Sequence, residues 1–520
     1  MSDQRPAPPE AEPAASAERG WLRSETLAQG MLLMILLAGG QRIIGFVRGV
    51  LFCRWLPPEE LGTWDLAFGF LLLAAPLAVL GVPGAFGRYV EHYRQKGQLQ
   101  AFLRNTAAVS ILLALSGVAL VALARGWFGW FIFDDPTQGN LVLLTAVCLL
   151  GVIANNFLLE LFTALRQMRF VALMNLSNSV LFALLGIALL FGVGQDAAMV
   201  VIAYGAGCLT TAVVASYALW RTWNELPIDG EALPRKSLWA KVAPFAAWVW
   251  MTNLLTNLFA VADRYMIVHF SGLEPSASAA VVGNYHSSRV VPLLIVSVAG
   301  MIAGMLLPHL THDWEAGNRG EVSRRLNLLL KSFGLAYLLG AIAILALAGP
   351  LFSIVLAGKY AGGLEVLPWT LTYCVWFSLA LMVEVYLWTA ERPGMACLVF
   401  FIGLTVNIVL NYLLVPVWGL YGAVVATAAG NAAALLLAIV FSWRAGLKFD
   451  GAVALIAVLP ATLLLGVVPA ACVWIVAAAI AWKTNWFFDG QQKHIIYETV
   501  GGYVARVRST LTRSCATANM

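Results

Sequence analysis

The chain has 520 residues, of which 61% are hydrophobic and only 11% are Asp, Glu, Lys or Arg. A water-soluble domain carries about 25% charged residues, so soluble globular classes are excluded. The formal net charge of +5 does not point to nucleic acid, because the basic residues are distributed in a pattern that a membrane imposes.

Residues 1–24, rich in Pro, Ala and Glu, lack an apolar face and are expected to form a disordered tail. Apolar blocks of about 17 to 28 residues follow, the length a helix needs to cross roughly 30 Å of hydrocarbon. Spans are expected near 27–52, 62–83, 103–124, 139–163, 171–193, 198–220, 242–270, 280–307, 328–349, 365–390, 394–416 and 419–443. The first is too long, and too interrupted by Arg, for a cleaved signal peptide. An apolar hairpin at 452–486 reads as two short crossings before a basic tail at 488–520. Strand-like alternation dominates none of these blocks, which argues against an outer-membrane barrel. The expected fold class is all-α: a polytopic membrane protein of 12 to 14 transmembrane helices.

Basic residues recur on every second connection. Arg88, Arg94, Lys96 and Arg104 fall on one side, as do Arg166, Arg169, Arg221, Arg235, Lys236 and Lys241, then Arg319, Arg324, Arg325, Lys331, Arg392, Arg444 and Lys448. The other side receives Arg54, Arg125 and Lys359. Roughly 25 of the 32 Lys and Arg lie on the first side, which makes both termini cytoplasmic by the positive-inside rule.

A weak internal repeat divides the bundle. Leu61-Gly62-Thr63-Trp64-Asp65 recurs as Val282-Gly283-Asn284-Tyr285-His286, Glu160 as Glu384, and Leu219-Trp220-Arg221 as Ser442-Trp443-Arg444, at offsets of about 221 to 224 residues. Six spans per repeat give parallel halves, expected to pack as two lobes around a central cavity and to work by alternating access. The expected organisation is a first lobe at 25–221, a cytoplasmic linker at 222–241, a second lobe at 242–445 and the added hairpin at 446–487.

Arg42, Arg48, Arg264 and Arg289 fall inside expected spans. Facing lipid, four arginines would cost roughly 10 to 14 kcal/mol, so they must face water, an anion or an acid. Arg264 has Asp263 beside it, with Asp65, Glu160 and Glu384 as further acids, and reads equally as a structural pair or a cavity residue. Arg42, Arg48 and Arg289 have no acid close in sequence and are expected to line an anion-binding cavity. Arg42 and Arg48 stand about 120° apart on a straight helix, so the first span must meet that cavity on two faces. Arginine's planar fork suits phosphate, and a lipid diphosphate headgroup fits both the fork and a cavity open to the bilayer.

The stretch Arg42-Ile-Ile-Gly45-Phe-Val-Arg48 with Leu56-Pro-Pro-Glu-Glu-Leu-Gly62-Thr-Trp64 resembles the first hairpin of the polysaccharide-exporter branch of the MOP superfamily. Asp263-Arg264, Gly283-Asn284-Tyr285, Pro308-His309-Leu310, Asn407 through Pro416 and Gly419-Leu-Tyr-Gly422-Ala423 extend the resemblance over about 27–445. It implies two six-helix lobes and a flippase for undecaprenyl-diphosphate-linked sugars in the bacterial cytoplasmic membrane: oligosaccharide repeat units in Wzx-type members, lipid II in MurJ-type members. Arg42, Arg48 and Arg289 fall on positions where MurJ-type members carry essential cavity arginines. The acids usual beside them in that branch are Gly49 and Ser288 here, and a further arginine at the end of the second span has no counterpart, which favours a glycan other than lipid II. Some relatives couple transport to Na⁺ at matching polar positions, so Asp263, Asn407 and Asn411 are candidate ion-coupling residues, for a Na⁺ or H⁺ gradient. The same amides also serve as ordinary bonds between membrane helices.

No Gly-rich loop followed by Lys-Ser or Lys-Thr occurs, so a secondary transporter without ATPase chemistry, catalytic residues, cofactor or bound metal is expected. The seven cysteines lack metal-ligand spacing, and His309, His312 and Asp313 sit at a helix end beside a basic loop. Trp55, Trp127, Trp130, Trp248, Trp250 and Trp486 lie where interfacial aromatic belts form. The expected partners are a lipid-linked oligosaccharide, membrane lipids and polysaccharide-assembly proteins, with no nucleic acid. Two other functions compete: a MATE-type multidrug or cation antiporter, whose substrates want an acid-rich cavity, and an integral-membrane glycan polymerase or ligase, which needs a large external loop.

Overall fold

A computed structural model describes residues 27–225, 234–494 and 497, so the 1–24 tail, part of the linker and most of the 488–520 tail lie outside the described residues. Every regular element among them is helical. The first half holds α1 (Leu27–Trp55), α2 (Pro58–Ala78), α3 (Phe86–Gln95), α4 (Leu99–Leu123), α5 (Arg125–Phe133), α6 (Gly139–Ala164), α7 (Met168–Gly192) and α8 (Ala197–Arg221). The second holds α9 (Arg235–Phe270), α10 (Pro275–Arg289), α11 (Leu293–Glu315), α12 (Arg319–Ala346), the single turn α13 (Ala348–Pro350), α14 (Ala361–Thr389) and α15 (Pro393–Arg444). The added hairpin is α16 (Gly451–Val458), a 3-10 segment (Leu459–Leu465) and α17 (Val467–Lys483).

Eleven helices among the described residues are long and apolar enough to cross a membrane. One of them, α15, is two helices meeting at Gly419, whose φ of +53° and ψ of −127° only glycine adopts cheaply, so the spans expected at 394–416 and 419–443 are both present. Two expected spans differ. The one at 62–83 stops at Ala78, where Leu80 and Gly81 take positive φ and turn the chain toward α3, a short amphipathic helix. The one at 280–307 is broken between α10 and α11, because Pro292 has no N–H. Past it, Leu294 and Ile295 bond three residues back, to Val291 and Pro292, before the helix resumes. Arg289 is the last residue of α10, held at that break.

The repeat extends to the turns. Gly97 closes the α3–α4 corner and Gly317 the α11–α12 corner, both left-handed; Arg166 and Glu391 do the same after α6 and α14. Within the first half α6 packs with α8, α7 with α8 and α1 with α7; in the second, α14 packs with α15 and α11. The halves meet where α2 crosses α10. There a Cβ on Gly62 would collide with the Ala279 carbonyl, and one on Gly283 with the Pro58 carbonyl. The glycines that mark the repeat in sequence are thus the ones that let the two backbones touch.

Helix α9 serves both halves. Leu238, Val242 and Ala246 are buried in a core with Phe86, Tyr93, Phe102 and Phe162 of the first half. Phe259 and Ala262, further along, pack with Leu404 of α15. The lobe boundary expected at 241/242 therefore falls inside a stretch that packs on the first half. The added hairpin is two helices turned at Gly466, and Trp474 Nε1 ties it to the Leu335 carbonyl at 2.9 Å. Lys331, expected on the basic surface, is instead wholly buried, donating to Asp450 Oδ2 (2.6 Å), the Phe487 carbonyl (2.7 Å) and Gln492 Oε1 (2.9 Å). A buried ammonium needs that full set of acceptors, and meeting the need pins the hairpin's two ends to α12.

Candidate functional site

Between the halves lies a cavity of ≈ 470 Å³ bordered by α1, α2 and α7 to α11. All four arginines singled out by sequence, Arg42, Arg48, Arg264 and Arg289, line it. The rotation between Arg42 and Arg48 is resolved as the geometry of α1 requires. Arg42 Nη1 reaches across to the Ser297 carbonyl on α11, whereas the Arg48 guanidinium lies over the Phe182 ring of α7, 4.0 Å from its centre. Gly49 faces Val290 at a distance of 3.3 Å for a Cβ, so α1 passes close to the break after α10.

Arg264 does not pair with its neighbour Asp263. Consecutive residues on a helix diverge by about 100°, and these two point to opposite sides of α9. Arg264 Nε lies 2.8 Å from Asp65 Oδ2 of α2, an ion pair not aligned as a hydrogen bond. The other Asp65 oxygen lies 2.8 Å from Nδ1 of His286 on α10. Tyr265 Oη donates to the Leu66 carbonyl at 3.0 Å and fixes α9 against α2 beside this pair. Glu160 and Glu384 take no part: the first lines a separate cavity of ≈ 350 Å³, and the second accepts from Trp388 Nε1 at 2.9 Å.

Donors are in surplus here. Arg264 Nη1 and Arg289 Nε and Nη1 are buried without hydrogen-bond partners, and Arg289 rests over the Tyr285 ring, 5.0 Å from its centre. Four guanidinium groups face one carboxylate, Asp65. Unpaired buried N–H groups of cations are costly, and an anion in the cavity would satisfy them.

Arg289 also borders a smaller cavity of ≈ 140 Å³ on the other side of α10, with Asp263, Tyr285, Tyr373, Thr427 and Asn431. The three residues matched to ion coupling converge beside it. Asp263 Oδ1 accepts from Asn407 Nδ2 (2.8 Å) and Asn411 Nδ2 (3.1 Å), while Oδ2 accepts from Tyr285 Oη (2.9 Å). Because a carboxylate only accepts, both amides must turn their nitrogens to it. Their oxygens, and that of Asn431, are left buried and unpartnered. Acceptors are in surplus here.

Sequence reasoning did not single out His286, Tyr285, Thr427 or Asn431 as site residues. A signal for the first two existed: they sit in the repeat motif that opens α10, with His286 three residues before Arg289 and so on the same face. Thr427 and Asn431 repeat, at the same spacing of four, the pattern of Asn407 and Asn411.

A family model described as polysaccharide biosynthesis protein matches residues 27–312, more than half of the chain. The chain belongs to that family. Lipid II flippase MurJ of Bacillus subtilis (strain 168) is a relative 20% identical over 521 aligned residues, covering 92% of this chain and 94% of its own. Among solved structures, lipid II flippase MurJ in an inward closed conformation superposes with a TM-score of 0.68 at 14% identity, over 87% of this chain and 99% of that one. An inward-facing multidrug resistance MATE family transporter of the MOP superfamily gives 0.62 at 15% identity, over 80% and 95%. These likenesses establish a shared fold, and with the family match they make the chain a multi-pass membrane protein of the MOP superfamily.

Proposed function

We propose that the protein is a flippase that carries an undecaprenyl-diphosphate-linked oligosaccharide, an O-antigen, capsule or exopolysaccharide repeat unit, across the bacterial cytoplasmic membrane by alternating access. The observation that carries this reading is the gathering of Arg42, Arg48, Arg264 and Arg289 around one cavity with a single carboxylate and several unpartnered N–H groups. A diphosphate supplies the acceptors those forks lack. The volume lies within the roughly 300 to 1,000 Å³ of small-ligand sites, enough for a headgroup while the longer glycan and the lipid extend outside. A cation substrate of the multidrug type would meet four like charges there, which disfavours that reading. Both termini are placed in the cytoplasm on the charge tally, so loading occurs on the basic side.

Asp263, Asn407 and Asn411 are proposed to hold the coupling cation. Their surplus of hard oxygen acceptors, one charged and the rest neutral, suits an alkali ion such as Na⁺. The test is reconstitution into liposomes with a fluorescent diphosphate-linked sugar lipid. Translocation should require Arg48 and Arg289, and should rise with a Na⁺ gradient only while Asp263 is present. Undiminished translocation in Arg48→Ala and Arg289→Ala proteins would remove the anion cavity from the mechanism.

A further inference from the structure

His286 belongs to no sequence motif for anion binding, yet it lines the arginine cavity and is about a quarter exposed to it. Its Nδ1 is fixed at 2.8 Å from Asp65 Oδ1, and the other Asp65 oxygen forms an ion pair with Arg264 Nε at 2.8 Å. An ionised carboxylate accepts only, so Nδ1 must carry the hydrogen. The neutral ring then turns a bare lone pair at Nε2 toward the cavity, which repels a phosphate oxygen. Protonation converts Nε2 into a charge-assisted donor.

We propose that His286, positioned by Asp65, is a further ligand for the phosphate-bearing headgroup, and that it engages the anion only as imidazolium, so that anion capture takes up a proton. This inference rests on the anion-cavity reading given above. The surrounding charges set its terms. Asp65 on α2 is the carboxylate that faces His286. Arg264 on α9, Arg289 on α10 itself, and Arg42 and Arg48 on α1 are the cations around the same cavity, and Tyr204 on α8 is the phenol that lines it. In the empty cavity the four guanidinium groups outnumber Asp65. An arriving dianion cuts that excess of positive charge to about a third, so headgroup and proton bind cooperatively and leave together.

The experiment uses the full chain in lipid nanodiscs and farnesyl-diphospho-N-acetylglucosamine as probe. Both of its phosphates are esterified, so its own charge stays constant and any pH dependence belongs to the protein. Binding is titrated between about pH 5 and 8, where histidine changes charge, in buffers of differing ionisation enthalpy so that proton uptake is read directly. Wild-type affinity should fall as pH rises, by up to ~10-fold per unit for one linked proton, with uptake approaching one proton per probe at the alkaline end. His286→Gln should bind at the weak, alkaline-limit affinity across the range, and His286→Lys, permanently charged, should bind tightly across it. A wild-type pH profile in both variants overturns the inference while leaving the anion cavity intact, provided Arg289→Ala still weakens binding by roughly 100-fold. No binding by the wild-type protein, or binding indifferent to Arg42, Arg48 and Arg289, overturns the anion-cavity reading and this inference with it. His286→Lys guards against a glutamine variant that fails to fold.

Discussion

Two polar clusters sit on opposite sides of α10 and differ in what they lack. On the α1 side, arginine N–H groups are buried without acceptors; on the α15 side, the Asn407, Asn411 and Asn431 carbonyl oxygens are buried without donors. Arg289 borders both cavities, yet its Nε and Nη1 make no hydrogen bond to the acceptors around Asp263, and Tyr285 Oη is already given to that carboxylate. Each surplus therefore favours a ligand of the opposite hydrogen-bonding kind. On the proposed reading the first surplus takes an anion and the second a cation. The residues that bridge them, Asp263 next to Arg264 on α9 and Tyr285 next to His286 on α10, are sequence neighbours facing opposite ways. A shift of either helix moves both sites at once, which is the physical requirement for linking one cargo to another.

The largest effect expected comes from pushing α10 off α2. Gly283→Ala sets a methyl group against the Pro58 carbonyl, backbone against side chain with no rotamer to relieve it. A cost of about 3 kcal/mol, the upper end for overpacking, should separate the helices and abolish both Na⁺ response and glycan export, as read in liposomes. Loss of only one activity would mean that the clusters do not share a rigid support. Next is Arg289→Ala, which removes the one arginine that borders both cavities. Probe affinity should drop roughly 100-fold, as when a buried charged hydrogen-bonding partner is truncated, and Arg289→Lys should recover part of it because charge returns without the fork. Equal affinity in the wild-type and alanine proteins would refute the donor-surplus argument. Smaller again is Asp263→Asn, expected to erase a Na⁺ stimulation of about tenfold, some 1.4 kcal/mol, while leaving probe affinity unchanged. A fall in probe affinity without Na⁺ present would show that the two clusters are one site.

The arginines were legible in the sequence because a membrane makes a misplaced guanidinium expensive whatever the fold around it. The helix count was legible for the same reason, and Pro416 with Gly419 marked the break in α15. What stayed hidden depends on contacts between distant residues. Asp65 and Arg264 lie about 200 positions apart, and nothing local ranks Asp65 above the adjacent Asp263 as the partner of Arg264. The burial of Lys331 was hidden likewise, since its acceptors Asp450, Phe487 and Gln492 arrive from the added hairpin. The docking of 238–246 on the first half was invisible to hydropathy, which shows that a helix is apolar but not which half it faces. The break at Pro292 was readable in principle, but a continuous apolar run around it outweighed a single proline.

The smallest effect concerns access and leaves both donor sets untouched. At the end of the bundle away from the basic connections, Lys359 Nζ donates to the Arg54 carbonyl at 2.8 Å, and Tyr360 Oη to that of Leu56 at 3.0 Å. Arg54 Nη1 returns the contact to the Ile354 carbonyl at 3.0 Å. Each cation thus caps carbonyls on the opposite segment, clasping the last turn of α1 to residues 351–360 across the two halves. Such contacts contribute about 0.3 to 1 kcal/mol each when exposed, so an Arg54→Ala, Lys359→Ala double variant should shift the closed–open balance at this end by several-fold. Spin labels on the end of α1 and on the 351–360 segment would read that shift as a longer-distance population. Probe affinity and the Na⁺ response of the open–closed average should change only in proportion to it. A change in the intrinsic pH profile of probe binding would instead mean that the clasp reaches the arginine cavity through α1, and that access and capture are not separable.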